Sequence, residues 1–449
     1  MHSVVRALLL LVLASVSLAL LAVAAACNGG DDEDGTATAT RTPAVTGTAA
    51  AQPSGTATAA GTPKPSTGEP VDGITDTEII LGSHFAQSGT YGAAFAPVLS
   101  GLQAYFEYLN EEKGGVCNRE IVLKAEDDQY DPAHAVEVTR KLVEQDKIFA
   151  MVAGLGTAAH SAVWDYLNEK GIPDLWVMSG AHKWGADPKA HPWTVGILPD
   201  YFVEGTIFGK YISENYPGQK VGILYQNDDF GKDDLAGLKN GLDPAKNELV
   251  SEQPYESTAV DIRSQVTNIK QAGAEVVVCA CTPGYSAQAI EGADRMGWDP
   301  QFMIDYVASD PIMFSYASPK VMEGVLTMQA NKLSTWTDDP AVAQHHEIMK
   351  KYGTVATGNY TLVGQVVGVL MEEVLTRACD NPTKELTREG LMDAVHSLEN
   401  FQGDLSLPGN TITITPDDHI GTEVMRFLRA KLVDGKGVWE YEGELLSFR

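Results

Sequence analysis

The sequence predicts an α/β protein made of two doubly wound, Rossmann-like lobes, and three observations carry that expectation. Short apolar runs alternate with stretches of helical period from residue 75 onward, the pattern of a parallel sheet with crossover helices. One of the runs, Ile148-Phe149-Ala150-Met151-Val152, is apolar without interruption, as expected of a parallel strand covered on both faces. The alternation restarts after Pro199, so the β-α units come in two tandem sets.

The elements follow in order. The first strand is read at 78–82, and a helix follows with Leu99, Leu102, Phe106 and Leu109 at helical spacing. Next come a strand at 121–123, a helix at 132–145 with Pro132 in its first turn, and the strand at 148–152. A helix at 157–168 leads to a strand around 175–178. The second set reads as a helix at 201–214, a strand at 221–225, a helix from Gly231, a strand at 276–279, a helix at 287–296 and a strand at 301–304. Helices at 340–352, 361–378 and 387–398 follow, then short strands near 411–415, 424–430 and 437–441. This tail is too small for a third domain, so it completes both lobes.

Composition narrows the function. The chain has 449 residues, 44% hydrophobic and 20% charged, enough for two or three folding units with sizeable cores. Its formal charge of −28 repels phosphate polyanions and excludes nucleic acid as a partner. It lacks the polybasic face that holds proteins on anionic membranes. Five cysteines are too few for a disulfide scaffold.

Residues 1–26 hold one Arg, an apolar run and small residues ending at Cys27, the layout of a secretory signal. A retained transmembrane anchor is the competing reading of a run this long. Ala24-Ala25-Ala26-Cys27 resembles a bacterial lipoprotein signal, which makes Cys27 a lipid attachment point. Residues 28–74 are Thr, Ala, Gly and Pro with almost no large apolar side chain, too little to offset their ordering entropy. Residues 27–74 are therefore expected to form a disordered tether, spanning roughly 35–40 Å on average.

The search for catalytic chemistry returns little. G-x-S-x-G, the P-loop and G-x-G-x-x-G are absent. His345-His346-Glu347 begins like a zinc helix, but Lys350 stands where the second histidine belongs, so it reads as a solvated helix face. Cys279 and Cys281 face the same side of a strand; they are half a zinc site and read as packed thiols. Gly154-Leu155-Gly156-Thr157 follows a strand and opens a helix. Thr157 is placed to cap that helix, and the free N–H groups there suit a carboxylate or phosphate.

Several motifs in order carry a resemblance. They are Gln87-Ser88-Gly89-Thr90-Tyr91-Gly92, Asn110 to Gly115, Glu126-Asp127-Asp128-Gln129-Tyr130-Asp131-Pro132, the Gly156-Thr157 turn, Gly171-Ile172-Pro173, Asn227-Asp228-Asp229-Phe230-Gly231 and Met296-Gly297-Trp298. Together they resemble the leucine/isoleucine/valine-binding (branched-chain amino acid) substrate-binding proteins of ABC importers, of the type I periplasmic binding protein fold, over residues 76–449. The stretch from Ser179 to Gly185 with His191-Pro192-Trp193 is similar to a branch whose ligands vary.

The resemblance implies a site. A hydroxyl at Thr157, beside Gly156 and its neighbouring backbone N–H groups, holds the ligand carboxylate, completed by groups near Ser179, Gly180 and Ala181. Tyr91 and Phe230 match the aromatic positions that close over the ligand, and Asp200 a polar position beside the hinge. The glutamate that pairs with the ligand's ammonium aligns with Tyr306. A desolvated ammonium without a carboxylate is costly, so either Asp200, Asp228 or Asp305 replaces it or the ligand is an aromatic or aliphatic carboxylate lacking the amino group. The resemblance also implies discontinuous lobes joined by a three-crossing hinge: lobe I at 75–198 and 332–424, lobe II at 199–331 and 425–449. Cys117 and Cys379 then share lobe I, where an exported compartment permits a disulfide.

The function implied is that of a non-enzymatic, monomeric lipoprotein at the outer face of the cytoplasmic membrane, at the cell surface or in the periplasm. It hands a small carboxylate-bearing solute to ABC permease subunits and uses no cofactor or metal. A sensory receptor on the same fold is one alternative. A hydrolase of small amides is another, and would need a base for Thr157, with His160 three residues on.

Overall fold

The computed structural model describes residues 71–380 and 386–447. The proposed signal at 1–26, Cys27 and the tether as far as residue 70 lie outside the described residues. Residues 71–74, read as the end of the tether, instead belong to the folded body: Ile74 bridges Ile79, and Gly73 lies against the backbone of Phe149.

Two sheets form the frame. The first contains β1 (Glu78–Phe85), β2 (Glu120–Asp127), β3 (Ala150–Val152), β4 (Asp174–Val177) and β5 (Thr194–Gly196), in the order β2-β1-β3-β4-β5 and parallel throughout. The second contains β6 (Lys220–Gln226), β7 (Glu248–Tyr255), β8 (Val276–Ala280), β9 (Gln301–Ile304) and β10 (Leu326–Gln329), with β11 (Val424–Val433) and β12 (Lys436–Ser447). Its order is β12-β11-β10-β9-β8-β6-β7, and β11 alone runs against the rest, pairing antiparallel with β10 and with β12. The central strands β3, β4 and β8 are buried along their whole length, which is why β3 and β8 are unbroken apolar runs.

The tail serves both lobes. The helices Pro340–Tyr352, Asn359–Asp380 and Arg388–Val395 join the core of the first lobe, while β11 and β12 extend the second sheet. The helix Gly89–Tyr108 meets Asn359–Asp380 at glycines. A Cβ on Gly101 would strike Thr361 O, and one on Gly364 would strike Val98 O, so the backbones touch with no side chain between them. Cys117 is joined to Cys379 at a Cα–Cα distance of 6.1 Å.

Three expectations change here, and some elements had no sequence reading. The strand near 411–415 is absent: Phe401–Ile412 and Thr415–Asp418 are isolated bridges. β7 and the helix Arg263–Gln271 had no sequence reading, because β7 is an edge strand, half exposed, with Glu248, Ser251, Glu252 and Gln253 breaking the apolar signal. His345 does not face solvent. The helix Pro340–Tyr352 turns it inward, where its ring nitrogens bond Gln365 Oε1 at 2.7 Å and Thr361 Oγ1 at 2.9 Å. Cys279 and Cys281 are buried, as packed thiols would be, but joined as a disulfide with Cα atoms 5.1 Å apart. β8 ends at Ala280, so Cys281 lies just past the strand, where the two sulfurs meet.

Candidate functional site

Where neighbouring parallel strands wind in opposite directions, the loops at their carboxyl ends splay and open a crevice. That reversal lies between β1 and β3 in the first sheet and between β6 and β8 in the second. Both reversals face one cavity. Gly156 and Thr157 follow β3, Phe230 follows β6, and Thr282 follows β8; Tyr130, Met178 and Tyr306 follow β2, β4 and β9.

The Thr157 wall is built on constrained backbone. Gly156 has φ +97°, and a Cβ there would lie 2.7 Å from the Tyr130 ring, so only glycine lets the ring rest on the turn. Gln129 and Tyr130 are consecutive left-handed residues, φ 55° and 61°. Asp127 and Asp128 hold them, accepting the Gln129 N–H at 3.0 Å and the Tyr130 N–H at 2.8 Å. Over-determined strain of this kind gathers at ligand sites.

Thr157 does not cap its helix. Gly156 is the cap residue of Thr157–Ser161, and Thr157, already helical, shares a 2.7 Å hydrogen bond with the Ser179 hydroxyl. The first intrahelical bond runs from His160 N–H to Gly156 O at 2.8 Å, so the N–H groups before it have no partner within the helix. The helix expected through 168 is two short ones, Thr157–Ser161 and Trp164–Glu169, separated by tight turns at Ala162 and Val163.

Beneath this turn four fully buried side chains join end to end. Asp128 Oδ2 lies 2.7 Å from His84 Nδ1, His84 Nε2 lies 2.8 Å from His160 Nδ1, and His160 Nε2 lies 2.9 Å from Asp174 Oδ2. Thr194 donates to the same Asp174 oxygen at 2.8 Å. Burial holds the His160 imidazole below its ordinary range. Both its ring nitrogens are committed, so it is not free to act as a base for Thr157.

The opposite wall is aromatic. Phe230 packs on Tyr201 at 4.6 Å and Tyr201 on Tyr306 at 5.6 Å between ring centroids. Tyr306 donates its hydroxyl to Pro199 O at 2.8 Å. Burial pushes the Tyr130, Tyr201 and Tyr306 phenols far above their usual range, so they stay neutral.

Of the nine expected ligand residues, Gly156, Thr157, Phe230 and Tyr306 line the cavity. Tyr91 stands behind it, stacked on Tyr130 at 3.9 Å and donating to Ser257 O at 2.7 Å. Ser179 lies one hydrogen bond away, behind Thr157. Gly180, Ala181 and Asp200 line a neighbouring hollow. Asp200 caps the helix Tyr201–Asn215 and meets His182 Nδ1 at 2.6 Å. Asp228 accepts from Phe230 N–H and Gln226 Nε2. Asp305 accepts from Val307 N–H. None of these three carboxylates lines the cavity, and among the described residues no charged side chain does.

Asp305 turns instead toward Glu204 and Asp234, whose carboxylate oxygens come within 4.8 Å of one another. Burial raises all three, Asp305 to about 6. Among the described residues this is the group able to hold a cation, and it sits behind Tyr306, whose N–H donates to Glu204 at 3.0 Å. Sequence reading missed Tyr130, Tyr201 and Thr282 as wall residues. Tyr130 lay within a quoted motif; the other two carry no local signal.

A model of the periplasmic binding protein family matches residues 78–437. An amino acid binding protein of Pseudomonas aeruginosa is 25% identical over 252 residues, covering 55% of this chain and 65% of that protein, under two thirds of its length. The Leu/Ile/Val-binding protein homolog 2 of Brucella abortus is 26% identical over 286 residues, 62% of this chain and 72% of that protein. Two solved structures share the fold. A branched chain amino acid ABC transporter protein from Thermus thermophilus with bound valine has a TM-score of 0.72 at 21% identity, covering 83% of this chain and 96% of that one. A fatty acid ABC transporter substrate-binding protein from Thermomonospora curvata has 0.73 at 23% identity, covering 83% and 93%. With two parallel-sheet lobes around one cleft, the chain belongs to the periplasmic binding protein family and has its type I fold.

Proposed function

We propose that this protein is an exported, lipid-anchored solute receptor that takes up a carboxylate lacking an α-amino group and passes it to an ABC importer. The observation that carries the ligand class is the cavity lining: hydroxyls, aromatic rings, aliphatic side chains and the amides of Gln329, Asn331 and Asn410, with no charged side chain among the described residues. Thr157 and the N–H groups beside it are donors for a carboxylate. An ammonium would be desolvated there without a counter-charge, since Asp200, Asp228 and Asp305 are bonded elsewhere. Some relatives are named for amino acids and one structural neighbour for fatty acids; the lining favours the second kind. Export and anchoring rest on the signal at 1–26 and Cys27, and the tether would leave the lobes free to meet the permease.

A thermal-shift panel tests the reading, pairing branched and aromatic amino acids with the matching carboxylates. A ligand at 100 times its Kd stabilises by about 2.7 kcal/mol, a shift of a few degrees at most for a chain of this size. The carboxylates are expected to raise the melting point; a rise with the amino acids alone would overturn the assignment.

A further inference from the structure

The cavity does not end at the cleft. Its lining continues into the first lobe along Phe95 and Val98 of the helix Gly89–Tyr108 and along Val363, Val366 and Val367 of Asn359–Asp380. A second cavity begins where the first stops. Val366, Ser406 and Ile412 line both, and the second runs on past Tyr105 and Val369 to Lys113 and Glu372 at the outer surface. The first cavity offers about 80 Å³, the second about 300 Å³. The first alone is too small for more than a short side chain. The shared partition consists of two aliphatic side chains and one hydroxyl.

We propose that the two cavities form one passage through the first lobe, seating the hydrocarbon tail of a medium-chain alkanoate whose carboxylate sits at Thr157. This rests on the carboxylate reading above and adds the tail. From Val363 to Glu372 the helix advances about 13 Å at about 1.5 Å per residue, the length of an extended alkyl chain of about ten carbons. The cleft half of the wall is valine and phenylalanine, so each methylene entering it leaves water. Val363 and Val369 are themselves only partly buried, although both pack against the first-lobe core; their exposed faces look into these cavities.

The test is calorimetric titration of the full chain with n-alkanoates from butanoate to dodecanoate, below their micelle concentrations. Wild-type affinity is expected to rise about fourfold per methylene, the equivalent of about 0.8 kcal/mol, along the valine-lined half, and less steeply past Gln365, Asp404 and Glu372 of the second cavity, to about ten carbons. Val366→Phe, at the partition, should end that rise early. Val369→Phe lies one turn deeper and should end it about three or four carbons later, the chain length matching about 4.5 Å of helix. The pair of variants guards against misfolding of either, and separates a passage from general hydrophobic adsorption, which neither would truncate. An affinity that stops rising at five carbons in wild type, or a chain-length profile that neither variant shifts, overturns the passage and leaves the carboxylate reading intact. Binding of no alkanoate at any length, with binding of an amino acid, overturns both.

Discussion

Thr157→Val tests the site most directly, because it removes one hydroxyl and keeps the shape. Thr157 is 2% exposed, and its hydroxyl meets Ser179 at 2.7 Å. Without ligand the variant loses that neutral hydrogen bond, worth about 1 kcal/mol. Ser179 keeps a second contact, the Ala181 N–H at 3.3 Å, so the protein should remain folded. With a carboxylate bound, the hydroxyl donates to a charge, and such bonds contribute about 1.5–3 kcal/mol, or about 12- to 160-fold in Kd. The assay is titration calorimetry with a branched carboxylate and with the alcohol of the same skeleton. The carboxylate should weaken by the full factor and the alcohol by about tenfold at most. Equal weakening of the two, or a loss under about threefold for the carboxylate, would refute the placement of the charge at Thr157.

Two further outcomes follow from buried groups. Glu204, Asp234 and Asp305 have folded pKa values above the ordinary carboxylate range, Asp305 at about 6. The folded state therefore binds more protons than the unfolded one. The resulting stability is present at acid pH and lost as pH rises through about 6. Asp234→Asn should raise the urea midpoint at pH about 7.5 and flatten its pH dependence; a lowered midpoint would mean the charges are compensated. Replacing Cys117 and Cys379 by serine opens a loop with a sequence separation of 262. Chain entropy sets a ceiling of about 5–6 kcal/mol, and a loss of about 2–5 kcal/mol in urea unfolding is expected, while a loss below about 1 would refute the link's role.

What the sequence made legible was whatever packing dictates locally. β3 and β8 announced themselves because both faces are covered, so every residue is apolar. β7 stayed silent because an edge strand satisfies only one neighbour and tolerates Glu248, Glu252 and Pro254. The same logic divides the site. The Gly156-Thr157 turn was visible because a glycine turn before a helix is a local signal. Tyr201, Thr282 and Val366 reach the cavity from three helices or their first turns, and nothing in their own neighbours says which wall they will form. Tyr91 was placed by resemblance, and it packs one layer back because Tyr130 occupies the surface.

The chain from Asp128 through His84 and His160 to Asp174 ties β1, the loop after β2, the helix of Thr157 and β4 into a single unit. None of its members lines the cavity, yet the turn that presents Thr157 rests on all four. Ligand preference in such a scaffold is therefore inherited partly from residues that never meet the ligand. A lineage can retune its grip on a carboxylate from below, one buried partner at a time, while the visible walls of the cleft stay the same.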